Sequence, residues 1–480
     1  MKLFIKSIYL KALIIATSII TIAILSSAIR SNLFGASVNK TETLSNNINN
    51  EIAQVLYSEK VNKIDSFMHI RSKRYGFNGN VLVSYKGNLL YNNSFGYSDP
   101  KHKEKLQTES IFQLASVSKQ FTAMSIMILH ENGKLNYDDN IKKYLPTLPY
   151  DNITIRMLLN HTSGLPNYMW LVEHYWKKKT PPYNSDIIKL MSKYELSLYF
   201  KSGSRFVYSN TGYVVLASIV EKISKMKFNE FVNKEIFVPL EMQNSFVYSA
   251  ALKNKHSEKL TGYRHWGRNY RIIPETINDG AVGDKGIYST TEDLYKWDKA
   301  LYSNLLISAK TLKEAFSPVK INNKYTIPYG FGFRIRNNDT NNKIVYHHGR
   351  WNGFRTSFLR YMHDTSIVVV LNNTSSNGNT LITKKLRQIL NTDTDSSNTQ
   401  NLIIDVFDNG SDIAISNFIK KTEGYSSIDT NKINKVIDIL NKHNKKNTSE
   451  ELRCIIEKYK NGELNPLQIN NYTLLNNIMF

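Results

Sequence analysis

Ser116, Lys119, Tyr208 and His347 are the residues whose types and settings supply a nucleophile, proton-transfer groups and a polarising group. Ser116-Val117-Ser118-Lys119 puts a hydroxyl and an amine three residues apart, one turn on the same face if the segment is helical. Phe121, Met124, Ile128 and Leu129 continue an apolar helical pattern that stops near Gly133, so Ser116 stands at a helix start. Helix N-terminal amides favour an alkoxide and an acyl oxyanion there. A serine hydroxyl is a weak nucleophile until a neighbour takes its proton. Lysine titrates near ~10.4 in water, so burial or nearby cations must lower it before it can act as a base. The same Ser-x-x-Lys spacing recurs at Ser37, Ser98, Ser224 and Ser317, so context rather than spacing singles out Ser116. The competing reading is a plain N-cap serine beside a solvated lysine.

Two further groups share this character. Tyr208-Ser209-Asn210 follows Gly203 and Phe206 in a loop and precedes a helix over 211–223. A phenol at a helix start beside cations can shuttle a proton, and the Asn210 amide can hold a carbonyl or the lysine. The alternative is a tyrosine that packs its ring and hydrogen-bonds its tip. His347-His348-Gly349 ends an apolar strand and runs into Arg350-Trp351-Asn352-Gly353-Phe354. A strand edge beside a nucleophile can add a backbone N–H to an oxyanion hole, Gly349 permits close approach, and His347 would present a cationic or donor side chain. Neighbouring strand residues face opposite ways, which argues against a two-histidine metal site. There is no phosphate-cradling loop and no HExxH, so neither a metal nor a nucleotide cofactor is implied.

Elements must carry these groups to one place. A helix is expected from about 50 to 75, with Ile52, Val55, Leu56, Val61, Ile64 and Phe67 at helical spacing. Val81–Val83 and Leu89–Tyr91 flank Lys86-Gly87 as a β-hairpin. The middle, 111–300, reads mostly helical. Strand signals return at 329–335, 344–347, 356–360 and 367–371. Strands at both ends of a helical middle imply one sheet closed by both ends of a domain, an α+β arrangement. Polar stretches at 31–50 and 391–400 read as linkers, bounding a domain over 51–390 and a helical region over 401–480. Thr448-x-x-Glu451 has the form of a capping box ahead of Leu452, Ile455 and Ile456.

The 480 residues carry 62 Lys and Arg against 40 Asp and Glu, a net charge of +22. That balance admits nucleic acid, anionic lipid or an anionic wall polymer, and the N-terminus narrows the choice. Lys2, Lys6 and Lys11 precede an uncharged apolar run over 12–29, as in a signal peptide or an N-terminal membrane anchor, with Ser26 and Ala28 a small-x-small cleavage pattern. Residues 1–30 are therefore read as an export segment, the rest as extracytoplasmic, secreted, periplasmic or anchored. Wall polyanions or lipid head groups, not nucleic acid, become the natural counter-charge. Cys454 is the single cysteine, so no intrachain disulfide exists, and its apolar flanks suggest a buried thiol.

The motifs occur in the order Ser-x-x-Lys, Tyr-x-Asn, His-x-Gly. In that order and context they resemble the serine β-lactamase/penicillin-binding-protein superfamily, and more closely its class C β-lactamase-related hydrolases, D-alanyl-D-alanine carboxypeptidase-like enzymes and esterases among them. Residues 155–165, 208–213, 286–294 and 347–354 also match that family's habit. The resemblance implies a β-lactamase/transpeptidase-like fold: an antiparallel sheet built from both ends plus a large helical subdomain. It implies Ser116 as the acylated nucleophile, Lys119 as its proton partner and Tyr208 as general base and acid. Asn210, His347, Gly349 and Arg350 would bind substrate, with the N–H groups of Ser116 and Arg350 as oxyanion hole. His161, in His-Thr-Ser-Gly, would buttress. His347 stands where many relatives have lysine, giving a cation only partly charged near neutral pH, and Arg350 and Arg355 offer replacement charge. The implied activity is an exported acyl-enzyme serine hydrolase acting on peptides or esters, with cell-wall stem peptides, D-amino-acid derivatives or β-lactams as substrates. A slowly deacylating penicillin-binding sensor and a non-catalytic wall-binding protein are the alternatives.

Overall fold

The computed structural model describes residues 47–464, apart from 253–255, 257, 267–268, 322–324, 337–341, 377, 393–397, 423–427 and 462–463. The apolar run at 12–29 lies outside the described residues. The chain divides into two compact units: residues 57–395, and the residues before 57 together with those after 395.

In the larger unit, β1 (Gly79–Tyr85) and β2 (Asn88–Phe95) form the expected hairpin. Lys86 and Gly87 turn with φ of 50° and 77°, the paired left-handed conformations that match strand twist in a two-residue loop. The later strands are β3 (Arg334–Arg336), β4 (Ile344–Trp351), β5 (Phe354–Tyr361) and β6 (Ser366–Asn372). They form a six-stranded sheet in the order β3-β4-β5-β6-β1-β2, antiparallel wherever neighbours pair. The α+β reading holds: β6 and β1, from opposite ends of the unit, lie side by side with Val81 opposite Val370. Every residue of β6 is buried, which is why Ile367–Leu371 is an unbroken apolar run instead of an alternating one.

Helix α2 (Ser58–Tyr75) and the helix after β6 cover one face, and the segment carrying Ser116 covers the other. Lys60, 1% exposed, donates to the carbonyls of Leu390 (2.9 Å) and Thr392 (2.7 Å), so a buried ammonium caps the end of that later helix. The signal at 329–335 is mostly turn. Only 334–336 pairs as β3, because Gly330 and Gly332 bring the chain against the carbonyls of Ala315 and Lys119.

The helix expected from about 50 to 75 is broken. Residues 47–56 form one helix, α1, and Tyr57 interrupts before α2. Ile48, Ile52 and Leu56 of α1 are buried, so this Asn-rich stretch, read as partly linker, has an apolar face at helical spacing. Glu51 accepts from Lys442 at 3.2 Å and from His443 at 3.2 Å, and Lys432 donates to the Leu56 carbonyl. Among the described residues the smaller unit is otherwise four helices, Asn398–Asn409, Ser411–Thr422, Thr430–Lys442 and Lys446–Lys460. The first begins inside the stretch read as linker at 391–400. The last begins before Thr448, whose hydroxyl therefore lies within the first turn and caps nothing. Cys454 is half-buried, where a buried thiol was expected.

Phe358, fully buried in β5, anchors the sheet core. Phe358→Ala is expected to destabilise the larger unit by roughly 3–5 kcal/mol. Urea unfolding followed by tryptophan fluorescence, sensitive to the buried Trp297, would show the lowered midpoint.

Candidate active site

Ser116 sits in a 3₁₀ turn, Ala115–Val117, that runs directly into α3 (Ser118–Glu131). Ala115 holds φ of 49°, a left-handed conformation costly for a residue with a Cβ. Gly349 of β4 packs on this turn. A Cβ there would lie 2.3 Å from the Leu114 carbonyl oxygen and 3.2 Å from the Ser116 amide nitrogen. Glycine is required for the strand to approach the backbone of Ser116, beyond the substrate access first expected of it.

Lys119 is fully buried one turn after Ser116. Its Nζ lies 3.1 Å from Ser116 Oγ, 2.8 Å from Asn210 Oδ1 and 2.7 Å from the Asp284 carbonyl oxygen. Burial, with the Arg334 charge assisting and the Asp284 charge opposing, lowers its pKa from 10.5 to about 7. Near neutrality much of it is a free amine. Two N–H groups then serve Asn210 and Asp284, which leaves the lone pair aimed at the Ser116 hydroxyl.

Asn210 opens α4 (Asn210–Ser224), whose cap Ser209 accepts from the Gly212 amide. Asp284 lies between Gly283 and Gly286, at φ of 103° and 98°. Its carboxylate meets Lys285 at 3.4 Å and accepts from Tyr168 at 3.1 Å, and Lys285 donates to Tyr168 Oη at 2.6 Å. This buried trio holds the peptide that presents the Asp284 carbonyl. Sequence reasoning passed over it, although a charged pair bracketed by glycines was its visible trace.

Tyr208 packs over Lys119, whose Nζ lies 5.0 Å from its ring centre. Burial raises its pKa, while Ser116 and the Arg334 charge pull it down, so it is a neutral phenol. Its buried hydroxyl faces Ser116 yet makes no hydrogen bond of full geometry within the described residues. Beneath it lies His161, 4.3 Å ring to ring, with Nδ1 accepting the Ser209 N–H at 3.1 Å. Burial, with Lys119, His347 and Arg334, keeps His161 well below its usual pKa. The ring lies behind Tyr208 and does not line the cleft.

His347 departs from expectation. It is 1% exposed and both its nitrogens are occupied. Nδ1 lies 2.7 Å from the His348 carbonyl and must donate to it, so Nε2 accepts from Tyr329 Oη at 3.0 Å. Burial first, then the Lys119 and Arg334 charges, holds its pKa well below 6.5. It is neither a partial cation nor a free donor, because the low-dielectric pocket beside existing cations disfavours a further charge. The charge comes from Arg334, which sequence reasoning missed. Its guanidinium lies 5.4 Å from the Tyr208 ring centre. Its sole signal was position on a short strand next to His347.

Ser116, Tyr208, His347, Gly349 and Arg350 line one cleft of about 380 Å³, with Arg334 and Arg355 beside them. Lys119 and Asn210 lie beneath, joined to Ser116 through the amine. Each of the seven residues expected from sequence to act on or bind substrate is thus in or under one site. The arrangement can deprotonate a serine inside a positively charged cleft.

The beta-lactamase family model matches residues 63–391. A penicillin-binding protein of Bacillus subtilis (strain 168) is 39% identical over 312 residues, which are 63% of this chain and 69% of that protein. The crystal structure of a penicillin binding protein from Bacillus halodurans superposes with a TM-score of 0.59 at 25% identity, covering 67% of this chain and 98% of that one. The D-amino acid amidase of Ochrobactrum anthropi SV3, complexed with L-phenylalanine amide, shares the fold, with a TM-score of 0.55 at 20% identity over 72% of this chain and 98% of that one.

Two outcomes are expected from this geometry. If Lys119 is the base for Ser116, acylation needs its amine neutral, so the rate should rise with pH through an inflection near 7 and flatten above it. Stopped-flow acylation by a fluorogenic ester between pH 5 and 9 reads this, and a profile flat across that range would remove Lys119 as the base. Gly349→Ala should lower the acylation rate about tenfold or more, since even 1 Å of misplacement is costly. The added methyl pushes β4 off the turn that carries Ser116.

Proposed function

The chain belongs to the beta-lactamase family of serine hydrolases, and from that premise we propose that it is an exported enzyme cleaving peptides or esters through an acyl-enzyme. The observation that carries this is the Lys119 amine, held by Asn210 and the Asp284 carbonyl so that its lone pair meets Ser116 Oγ. Lys119 takes the hydroxyl proton as Oγ bonds to the substrate carbonyl carbon. The resulting oxyanion is received by the backbone N–H groups of Ser116 and Arg350. Tyr208, a neutral phenol between Ser116 and Arg334, passes the proton to the leaving group as the scissile bond breaks. Water, deprotonated by the same pair, then releases the acyl group.

Cell-wall stem peptides or D-amino-acid derivatives fit the setting. The lysine-flanked apolar run at 12–29 supports export, and the net charge of +22 suits an anionic wall or membrane surface. Among the described residues no helix is long and apolar enough to cross a membrane. Relatives named penicillin-binding proteins support a site that accepts peptide-like acyl donors.

The test is turnover of p-nitrophenyl acetate, a stem peptide ending in D-Ala-D-Ala and a chromogenic cephalosporin. Ser116→Ala should abolish turnover and covalent labelling, and Lys119→Ala should slow acylation by about 10²–10⁴-fold. A stable fluorescent-penicillin adduct with no ester or peptide turnover would replace the hydrolase by a sensor. Absence of any labelling by a fluorophosphonate would leave a non-catalytic wall-binding protein.

A further inference from the structure

Asp279 is 5% exposed and is not among the residues that line the cleft. It stands in the short 3₁₀ turn Ile277–Gly280, where its Oδ2 accepts from the Thr276 N–H and, at 3.0 Å, from the Thr276 hydroxyl. That much is a capping box. The rest of the carboxylate is spent elsewhere. Oδ1 accepts from Trp351 Nε1 at 2.6 Å, and Asn352 Nδ2 lies 3.0 Å from both oxygens. Trp351 ends β4 and Asn352 opens the turn to β5, so one side chain joins segments 72 and 73 residues apart in the chain. None of these donors is a cation. A buried carboxylate is costly unless hydrogen bonds serve it, so these donors are held where the carboxylate needs them.

The β4–β5 turn is one that needs holding. Asn352 has φ of 39°, costly for a residue with a Cβ, and Gly353 follows at 88°. On its other side the chain at 262–263 closes in, and a Cβ on Gly262 would lie 1.9 Å from the Asn352 carbonyl oxygen. Trp351 is gripped twice. Its ring edge donates to Asp279, and Lys285 Nζ lies 4.6 Å from its ring centre. Lys285 follows Asp284, whose carbonyl serves the Lys119 amine. The loop that orients the amine therefore also grips the end of β4. The residue before Trp351 is Arg350, whose N–H would receive the oxyanion, and the one before that is Gly349, packed on the turn of Ser116.

We propose that Asp279 is a positioning residue for acylation: by holding Trp351 and Asn352 it sets the Arg350 N–H at the place an oxyanion on Ser116 requires. It touches no substrate itself. Oxyanion stabilisation grows in only as the transition state forms, so a misplaced donor costs rate and spares substrate binding. The inference rests on the serine hydrolase reading for its kinetic consequence, and the tie to β4 can be tested apart from it.

Stopped-flow acylation by a fluorogenic ester, for wild type, Asp279→Asn and Trp351→Phe, decides it. Asp279→Asn replaces one acceptor by an N–H donor. It should lower the limiting acylation rate about tenfold or more, keep KM within about twofold, and leave the pH inflection near 7 in place. Trp351→Phe keeps a ring and removes one donor, and should slow acylation about threefold. It still reports if Asp279→Asn fails to fold by circular dichroism. Unaltered kinetics in the folded variants overturns the proposal. So does a smaller burst amplitude at an unchanged rate constant, the mark of a merely structural loss, and so does a moved inflection, which would route the effect through Lys119. Hydrogen exchange over residues 346–354, read by mass spectrometry, should quicken in Asp279→Asn, and unchanged exchange overturns the tie. Wild type that neither turns over ester nor takes a fluorophosphonate, with exchange quickened in the variant, would sink the hydrolase and keep the tie.

Discussion

The site depends on keeping an amine out of water without keeping it charged. Lys119 is fully buried, and an ammonium there is affordable only while its hydrogens are served. Asn210 and the Asp284 carbonyl serve two of them, so what remains of the nitrogen can point only at Ser116. Several neighbours follow from this. The Asp284 carboxylate on its own would hold Lys119 protonated, and Lys285 and Tyr168 draw its charge away. The flanking glycines let the backbone at 283–286 turn so that the carbonyl, not the carboxylate, faces the amine.

Around that amine the structure places groups that do not ionise. Tyr208, Tyr213 and Tyr329 are phenols raised by burial, and His161 and His347 are imidazoles held neutral by burial and by the cations beside them. Permanent charge is left to arginine at the cleft wall. The division is physically consistent: guanidinium is weakly hydrated and stays charged near a low-dielectric site, whereas histidine gives up its proton.

The sheet joins these parts. β4 packs on the turn that carries Ser116, and it comes close enough to do so because position 349 has no side chain.

The sequence alone determined the α+β architecture and singled out Ser116. The unbroken apolar run at 367–371, the Lys86-Gly87 turn and the helical period after Ser116 are local patterns, and each maps onto β6, the β1–β2 hairpin and α3. The motif residues were legible because their types announce chemistry at short spacing. What tertiary structure decided was ionisation and neighbourhood. Nothing at positions 347 or 329 says that Tyr329 closes the second nitrogen of His347, nor at 334 that an arginine takes over the charge. Nothing at 284 says that a carbonyl completes the lysine's shell 165 residues away in the chain. Helix ends and the break at Tyr57 escaped for a related reason, since their limits are set by packing partners remote in sequence. Protonation states are set by burial and by charges a few ångströms away, and both exist only once distant segments have met.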